Sequence, residues 1–183
     1  MPRSGHRVSL LETTVNLLRA RETPFALIGA AALAVYGVSR STRDLDLLVV
    51  SRECLSPGYW DSLRAAGIDV NIQVGDAEDP LAGVVRLMAA DQPPIDLVVG
   101  KPAWQAAILS RAIEAEIEGI SVPVADRADL ILLKLYAGGP QDAWDVQQLL
   151  ALEARATTID EVERRLQNLP EDCRTLWRRV RPG

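Results

Sequence analysis

Two aspartates, Asp44 and Asp46, stand two residues apart at the start of the run DLDLLVV. If that run is a strand, alternation puts both side chains on one face, where two hard carboxylates can grip one oxygen-seeking cation. Adjacent carboxylates repel one another, so such a pair persists on a solvated surface or around a metal. A third, Asp96, is embedded in the apolar run IDLVVG, where an unpaired charge is costly and a metal or hydroxyl partner would account for it. If the two strands are neighbours, Asp44, Asp46 and Asp96 can hold magnesium, and a bound magnesium lowers the pKa of an attacking hydroxyl. Asp96 would then be the group nearest the nucleophile. Upstream, Gly29 lets the backbone approach phosphate at the mouth of a helix, and Arg40 and Arg43 can neutralise a triphosphate. Plainer roles exist for the same groups: Asp44 in a surface ion pair with Arg40 or Arg43, Asp96 as a turn cap after ADQPP, Gly29 as a packing glycine.

The elements that must position these groups can be read from periodicity. Residues 7 to 22 place Val8, Leu11, Val15 and Leu18 on one helical face, and Pro24 ends that helix. FALIG reads as a buried strand and AAALAVYG as the helix after it, so Gly29 sits at a strand-to-helix turn. PGYWDSLRAAG reads as a helix closed by Gly67, and IDVNIQV as a half-exposed strand with Ile68, Val70, Ile72 and Val74 facing the core. GVVRLMA and IDLVVG, around ADQPP, resemble a hairpin. Residues 102 to 115 are expected as a helix and ISVPVA as a short strand; DRADLILLKLYAG follows as a helix capped by Asp126 and ended by Gly138. Further helices are expected from Gln141 to Glu153, from a capping box of Thr158 and Glu161 to Leu169, and from Pro170 onward. The pattern predicts an α/β (α+β) chain of strands and helices, divided softly into a core over 1–125 and a helical C-terminal subdomain over 126–183.

Composition narrows the function. The chain has 183 residues, 48% of them hydrophobic, enough for one sizeable core. A net charge of -5 argues against broad binding to double-stranded DNA. Cys54 and Cys173 lack metal-ligand spacing, and His6 is the one histidine, so free thiols are expected. The opening is too polar for a signal peptide and no apolar run is long enough to span a bilayer, which predicts a cytoplasmic protein with no membrane contact. Trp104, Trp144 and Trp177 read as core or interface anchors; Arg174, Arg178 and Arg179 form the one patch that could face RNA.

The run FALIGAAALAVYGVSRSTRDLDLLV resembles the signature of the DNA polymerase beta-like nucleotidyltransferases, in particular the minimal bacterial members and the AbiEii-like abortive-infection toxins. In these a Gly-Ser or Gly-Gly step precedes Asp-x-Asp and a third acidic residue follows on a later strand. Gly29 and Ala30, Asp44 and Asp46, and Asp96 fall in that order. The likeness continues through DLILLKLYAGGPQDAWDV, similar to a lysine helix followed by a paired-aspartate helix. It implies a nucleotidyltransferase fold, with a mixed β-sheet flanked by helices and a helical C-terminal region, and a magnesium-dependent transfer of a nucleoside monophosphate from a nucleoside triphosphate. It further implies Lys134 as a nucleotide or phosphate contact, with Asp142 and Asp145 as its acidic companions. The implied acceptor is RNA, tRNA among it, a protein or a small molecule, in a toxin–antitoxin setting with a cognate protein partner. From the residues alone, Lys134 could equally snorkel to solvent, and Asp142 and Asp145 could form an ordinary polar helix face. Ala30 stands where serine or glycine is usual, and GGPQD carries no basic residue ahead of Asp142. The rival expectation is a non-catalytic module of the same fold that binds nucleotide or a partner.

Overall fold

A computed structural model describes residues 8–40 and 44–181; Arg43 and His6 lie outside them. The described residues form seven strands and eight α-helices: α1 (Leu10–Ala20), β1 (Phe25–Ile28), α2 (Gly29–Val35), β2 (Leu45–Val49), α3 (Asp61–Ala65), β3 (Asp69–Val74), β4 (Leu81–Met88), β5 (Ile95–Gly100), α4 (Ala103–Arg111), β6 (Ile113–Ile117), β7 (Ile120–Val124), α5 (Arg127–Ala137), α6 (Pro140–Ala151), α7 (Arg155–Leu166) and α8 (Glu171–Val180). Two single 3-10 turns, Arg52–Leu55 and Pro57–Trp60, precede α3.

The strands make one mixed sheet in the order β3-β4-β5-β2-β1-β7-β6. β2 runs parallel to β5 and antiparallel to β1, and β4 runs antiparallel to β5. The expected hairpin of β4 and β5 therefore forms. Its register carries the site, because Ile28, Asp46, Asp96 and Arg86 are successive partners across β1, β2, β5 and β4 and so share one face. The opposite face, with Leu47, Val49, Leu97, Val99, Val85 and Leu87, is fully buried. Leu55 of the first 3-10 turn lies on that side, against Gly83. The continuous apolar run of β2 thus arises from a strand covered on both faces except at its charged end.

Four expectations are corrected. Helix α4 stops at Arg111, and Ile113–Ile117 is a strand paired with β7 through a turn in which Glu118 and Gly119 both take positive φ (52° and 82°). That geometry suits a tight hairpin turn, and the alternation Ile113, Ala115, Ile117 is a strand's period of two. Val74 is 65% exposed because β3 is the sheet's edge, and Val8 precedes α1 at 51% exposed. Thr158 does not cap: α7 already begins at Arg155 after Ala154 at φ 58°, and the Thr158 hydroxyl donates back to the Ala154 carbonyl. PGYWDSLRAAG splits into a 3-10 turn and the five-residue α3.

From Asp126 onward every regular element is a helix. Asp126 caps α5 by accepting from the Asp129 amide, and Gly138 ends it in the left-handed region at φ 72°. The buried Asp129 takes a fork of bonds from Arg111 (2.8 and 2.7 Å) and an ion pair from Arg165 (3.0 Å), tying α4, α5 and α7 together. Among the described residues no helix is long and apolar enough to cross a membrane. Cys54 and Cys173 are free and buried, and burial raises both thiols, Cys54 to about 11.

Candidate active site

Asp46 leaves β2 at the point where Gly29 opens α2. The approach is so close that a Cβ on Gly29, whose φ is +64°, would stand 2.0 Å from Asp46 Oδ2. A glycine is therefore demanded here by the aspartate itself as well as by the turn. Burial raises the Asp46 carboxyl to about 6, with the charges of Asp96 and Asp44 adding to it and those of Lys134 and Arg86 opposing it. Asp96, its register partner, is also raised, by burial first, with Asp44 adding and Arg86 opposing. Asp96 Oδ1 is buried without a hydrogen-bond partner.

Arg86, which the sequence reading did not single out, stands opposite Asp96 on β4. Its Nη1 donates to Asp96 Oδ2 at 3.0 Å and its Nη2 reaches Asp44 Oδ2 at 3.4 Å. The signal was present as a lone arginine within the apolar run GVVRLMA, but its meaning depended on the β4–β5 register. Among the described residues no three Asp, Glu, His or Cys side chains form a ready-made metal cage. In type and charge the cluster nevertheless suits a divalent cation: three oxygen donors on one sheet face, mutually repelling, one of them with an unpartnered buried oxygen.

The helical half supplies the facing wall. Lys134 on α5 donates to Asp142 Oδ1 at 2.8 Å and lies 2.9 Å from Asp145 Oδ2, the latter an ion pair without hydrogen-bond alignment. Burial lowers the lysine's pKa, but the hydrogen bond to Asp142 and the ion pair with Asp145 outweigh it and hold the ammonium above its usual range. Asp145 is fully buried and also accepts from Arg40 Nη1 at 2.8 Å, so Arg40 clamps the α2–β2 connection to α6. Arg40 also lies 5.8 Å from the ring of the half-exposed Trp144. Asp142 accepts in addition from the Gly139 amide at the start of α6. The structure thus brings Asp44, Asp46, Asp96 and Gly29 together on the sheet, and Arg40, Lys134, Asp142 and Asp145 in a second network across from them. Ala30 follows Gly29 in α2.

Between the sheet and helices α5 and α6 lies a cavity of about 330 Å³ whose walls include Gly29, Leu48, Val98, Gln105, Lys134 and Asp142. Leu48 and Val98 are the next partners along from Asp46 and Asp96 on the same face, so this largely apolar chamber adjoins the carboxylates. A larger cavity, about 520 Å³, lies at Trp104, Arg111 and Arg165, whose guanidiniums are spent on Asp126, Asp129 and Glu161. Of the tryptophans, Trp177 is buried and Trp104 packs edge-on against Tyr136. Arg174 and Arg178 are paired with Glu171.

Residues 16–168 match the family of nucleotidyl transferase AbiEii toxins of type IV toxin–antitoxin systems. The chain belongs to this family. Gly29, Asp44, Asp46, Arg86, Asp96, Lys134, Asp142 and Asp145 all lie within the matched residues. No curated protein matches the chain by sequence. Among solved structures, the AbiEii-family chain is similar to the antibiotic-resistance factor ANT(2'')-Ia at 16% identity, with 91% of this chain and 86% of that one covered and a TM-score of 0.48. It is similar to the lincosamide antibiotic adenylyltransferase LnuA at 13% identity, 76% and 93% coverage and a TM-score of 0.46. A nucleotidyltransferase-like protein from Paracoccidioides brasiliensis is similar at 16% identity, 92% and 84% coverage and a TM-score of 0.47.

Proposed function

We propose that this AbiEii-family chain transfers a nucleoside monophosphate from a nucleoside triphosphate to an acceptor hydroxyl, with release of pyrophosphate. The observation that carries the reading is the register Asp46–Asp96 on adjacent parallel strands, with Asp44 following the same face and Asp96 Oδ1 buried without a partner. Asp44, Asp46 and Asp96 would hold a divalent cation, magnesium by chemical preference for carboxylate oxygen. Such an ion, when bound, neutralises phosphate charge and makes the acceptor hydroxyl more acidic.

The chain's own residues supply the rest. Asp96 is the candidate acceptor of the hydroxyl proton. Gly29 lines the cavity, and the backbone at Gly29 and Ala30 would meet the phosphate oxygens. Lys134 is the cation of the facing wall; it could exchange a carboxylate partner for phosphate, as could Arg40. Arg43 would join them, and Asp142 would orient Lys134. The apolar chamber beside Leu48 and Val98 suits a nucleoside. RNA including tRNA, a protein side chain and a small molecule are the acceptor classes, and a cognate protein partner fits the toxin–antitoxin family. The units 1–125 and 126–183 would then be the two walls of one cleft.

Calorimetric titration of the four nucleoside triphosphates with magnesium, into wild type and into a D44A/D46A variant, tests this. Binding that needs magnesium and disappears in the variant is the expected result. Equal binding by both proteins would overturn the metal role of the pair. A second reading, a non-catalytic binding module, draws on the Arg86 bridge to Asp44 and Asp96. It predicts nucleotide or partner binding indifferent to magnesium.

A further inference from the structure

The three carboxylates are not left to repel one another in the protein alone. Asp96 lies on β5 and Asp44 just before β2, and one guanidinium spans them, at 3.0 and 3.4 Å. The geometry points to Arg86 as a resident counter-cation: it holds Asp44 and Asp96 in place before a divalent ion arrives, and is displaced from them when the ion binds. This rests on the reading of Asp44, Asp46 and Asp96 as metal ligands.

Three observations carry the argument. First, Arg86 is placed by backbone register, as the partner of Asp96 in the β4–β5 ladder, so its side chain must emerge on the carboxylate face. Second, its charge is permanent, since a guanidinium does not deprotonate in proteins. Bonded to Oδ2 of both Asp96 and Asp44, it competes with a second cation for the same oxygens. Third, the bridge is incomplete: Asp96 Oδ1 keeps no partner and Asp46 accepts no bond from Arg86 among the described contacts. One guanidinium therefore offsets part of the charge of three carboxylates and leaves oxygen for a smaller, doubly charged ion. The arginine side chain is 42% exposed, so the long arm can leave the cluster without unpacking the core. Released beside a polyphosphate, the same fork matches phosphate oxygens.

The consequence is a positioning residue that weakens binding of bare metal and thereby favours metal arriving with its nucleotide. Mn2+ alone is the probe, with free Mn2+ read by electron paramagnetic resonance, on wild type, R86Q, R86K and D44N/D46N, each checked for folding by circular dichroism. R86Q is expected to bind Mn2+ on the order of tenfold more tightly than wild type, the loss of two partly exposed ion pairs expressed as competition. R86K, a point charge without the fork, is expected between the two. Thermal midpoints should move in parallel, with R86Q lower than wild type under chelator and gaining more on Mn2+ addition. A folded R86Q that binds Mn2+ no more tightly than wild type overturns the inference, as does a failure of both to bind. Should R86Q not fold, R86K decides alone: binding unchanged or weaker than wild type overturns the inference. Mn2+ bound equally by D44N/D46N and wild type instead overturns the underlying site reading, whatever Arg86 does.

Discussion

At Gly29 a Cβ would meet Asp46 Oδ2 at 2.0 Å, in a backbone at φ +64° that side chains seldom adopt. Gly29→Ala is therefore expected to cost about 3 kcal/mol in chemical unfolding, part steric and part conformational. In the double variant with Asp46→Ala the contacts to Oδ2 and Cγ go, a tight Cβ contact of 3.0 Å stays, and most of the cost beyond about 1 kcal/mol of backbone strain should be recovered. A cost unchanged by the second substitution would show that Asp46 is not the obstacle. Asp46 also predicts a pH dependence. Its folded pKa, about 6, lies above the ordinary carboxyl value of 3.8, so the folded protein holds this proton more tightly than the unfolded chain does. The stability this group contributes is present below pH 4 and is lost as pH rises through 6. Without metal, wild type should thus lose stability relative to Asp46→Asn between about pH 4 and about pH 7, read as urea midpoints. The type of each carboxylate and its strand alternation were legible in the sequence. Arg86 was not, because nothing local says which residue of one strand faces which residue of another.

At the scale of elements, helices α4, α5 and α7 meet on one buried carboxylate, Asp129, which is held by Arg111 and Arg165. Asp129→Ala would leave Arg111 without its buried anion while Arg165 keeps Asp126 and Glu161, an expected loss of about 3 kcal/mol in thermal or urea unfolding. A loss below about 1 kcal/mol would mean that Arg111 simply turns to solvent. The caps of α5 at Asp126 and Gly138 could be read directly, since each rests on one residue's local chemistry. The end of α4 could not. AIEAEIEGI is rich in alanine and glutamate, which suits a helix, and its alternating pattern wins because β6 finds a partner in β7. Thr158 failed as a cap for a related reason: the helix starts earlier, at a left-handed Ala154 that no propensity announces.

For the whole molecule, the cavity between the carboxylate face and α5–α6 means that a nucleotide would touch both halves. A triphosphate with magnesium should raise the unfolding midpoint of wild type, by an amount equivalent to about 2.7 kcal/mol when the ligand is at a hundred times its Kd. The D44A/D46A variant should show no such shift. An equal shift in both would assign the stabilisation to the Lys134 wall alone. Periodicity and residue type by themselves determined that strands alternate with helices, that a helical C-terminal stretch follows, and that carboxylates stand in apolar strand-like runs at Asp44, Asp46 and Asp96; their order as that of a nucleotidyltransferase rested on the family resemblance. These are properties of spacing along the chain, which alternation and capping convert to structure locally. Only the tertiary structure decided that Asp46 and Asp96 are register partners, that Arg86 joins them, and that Lys134 and Arg40 converge on the buried Asp145. Those pairings join residues tens of positions apart, and long-range strand register and helix docking fix them, by burying the apolar faces that leave each charged group only one place to go.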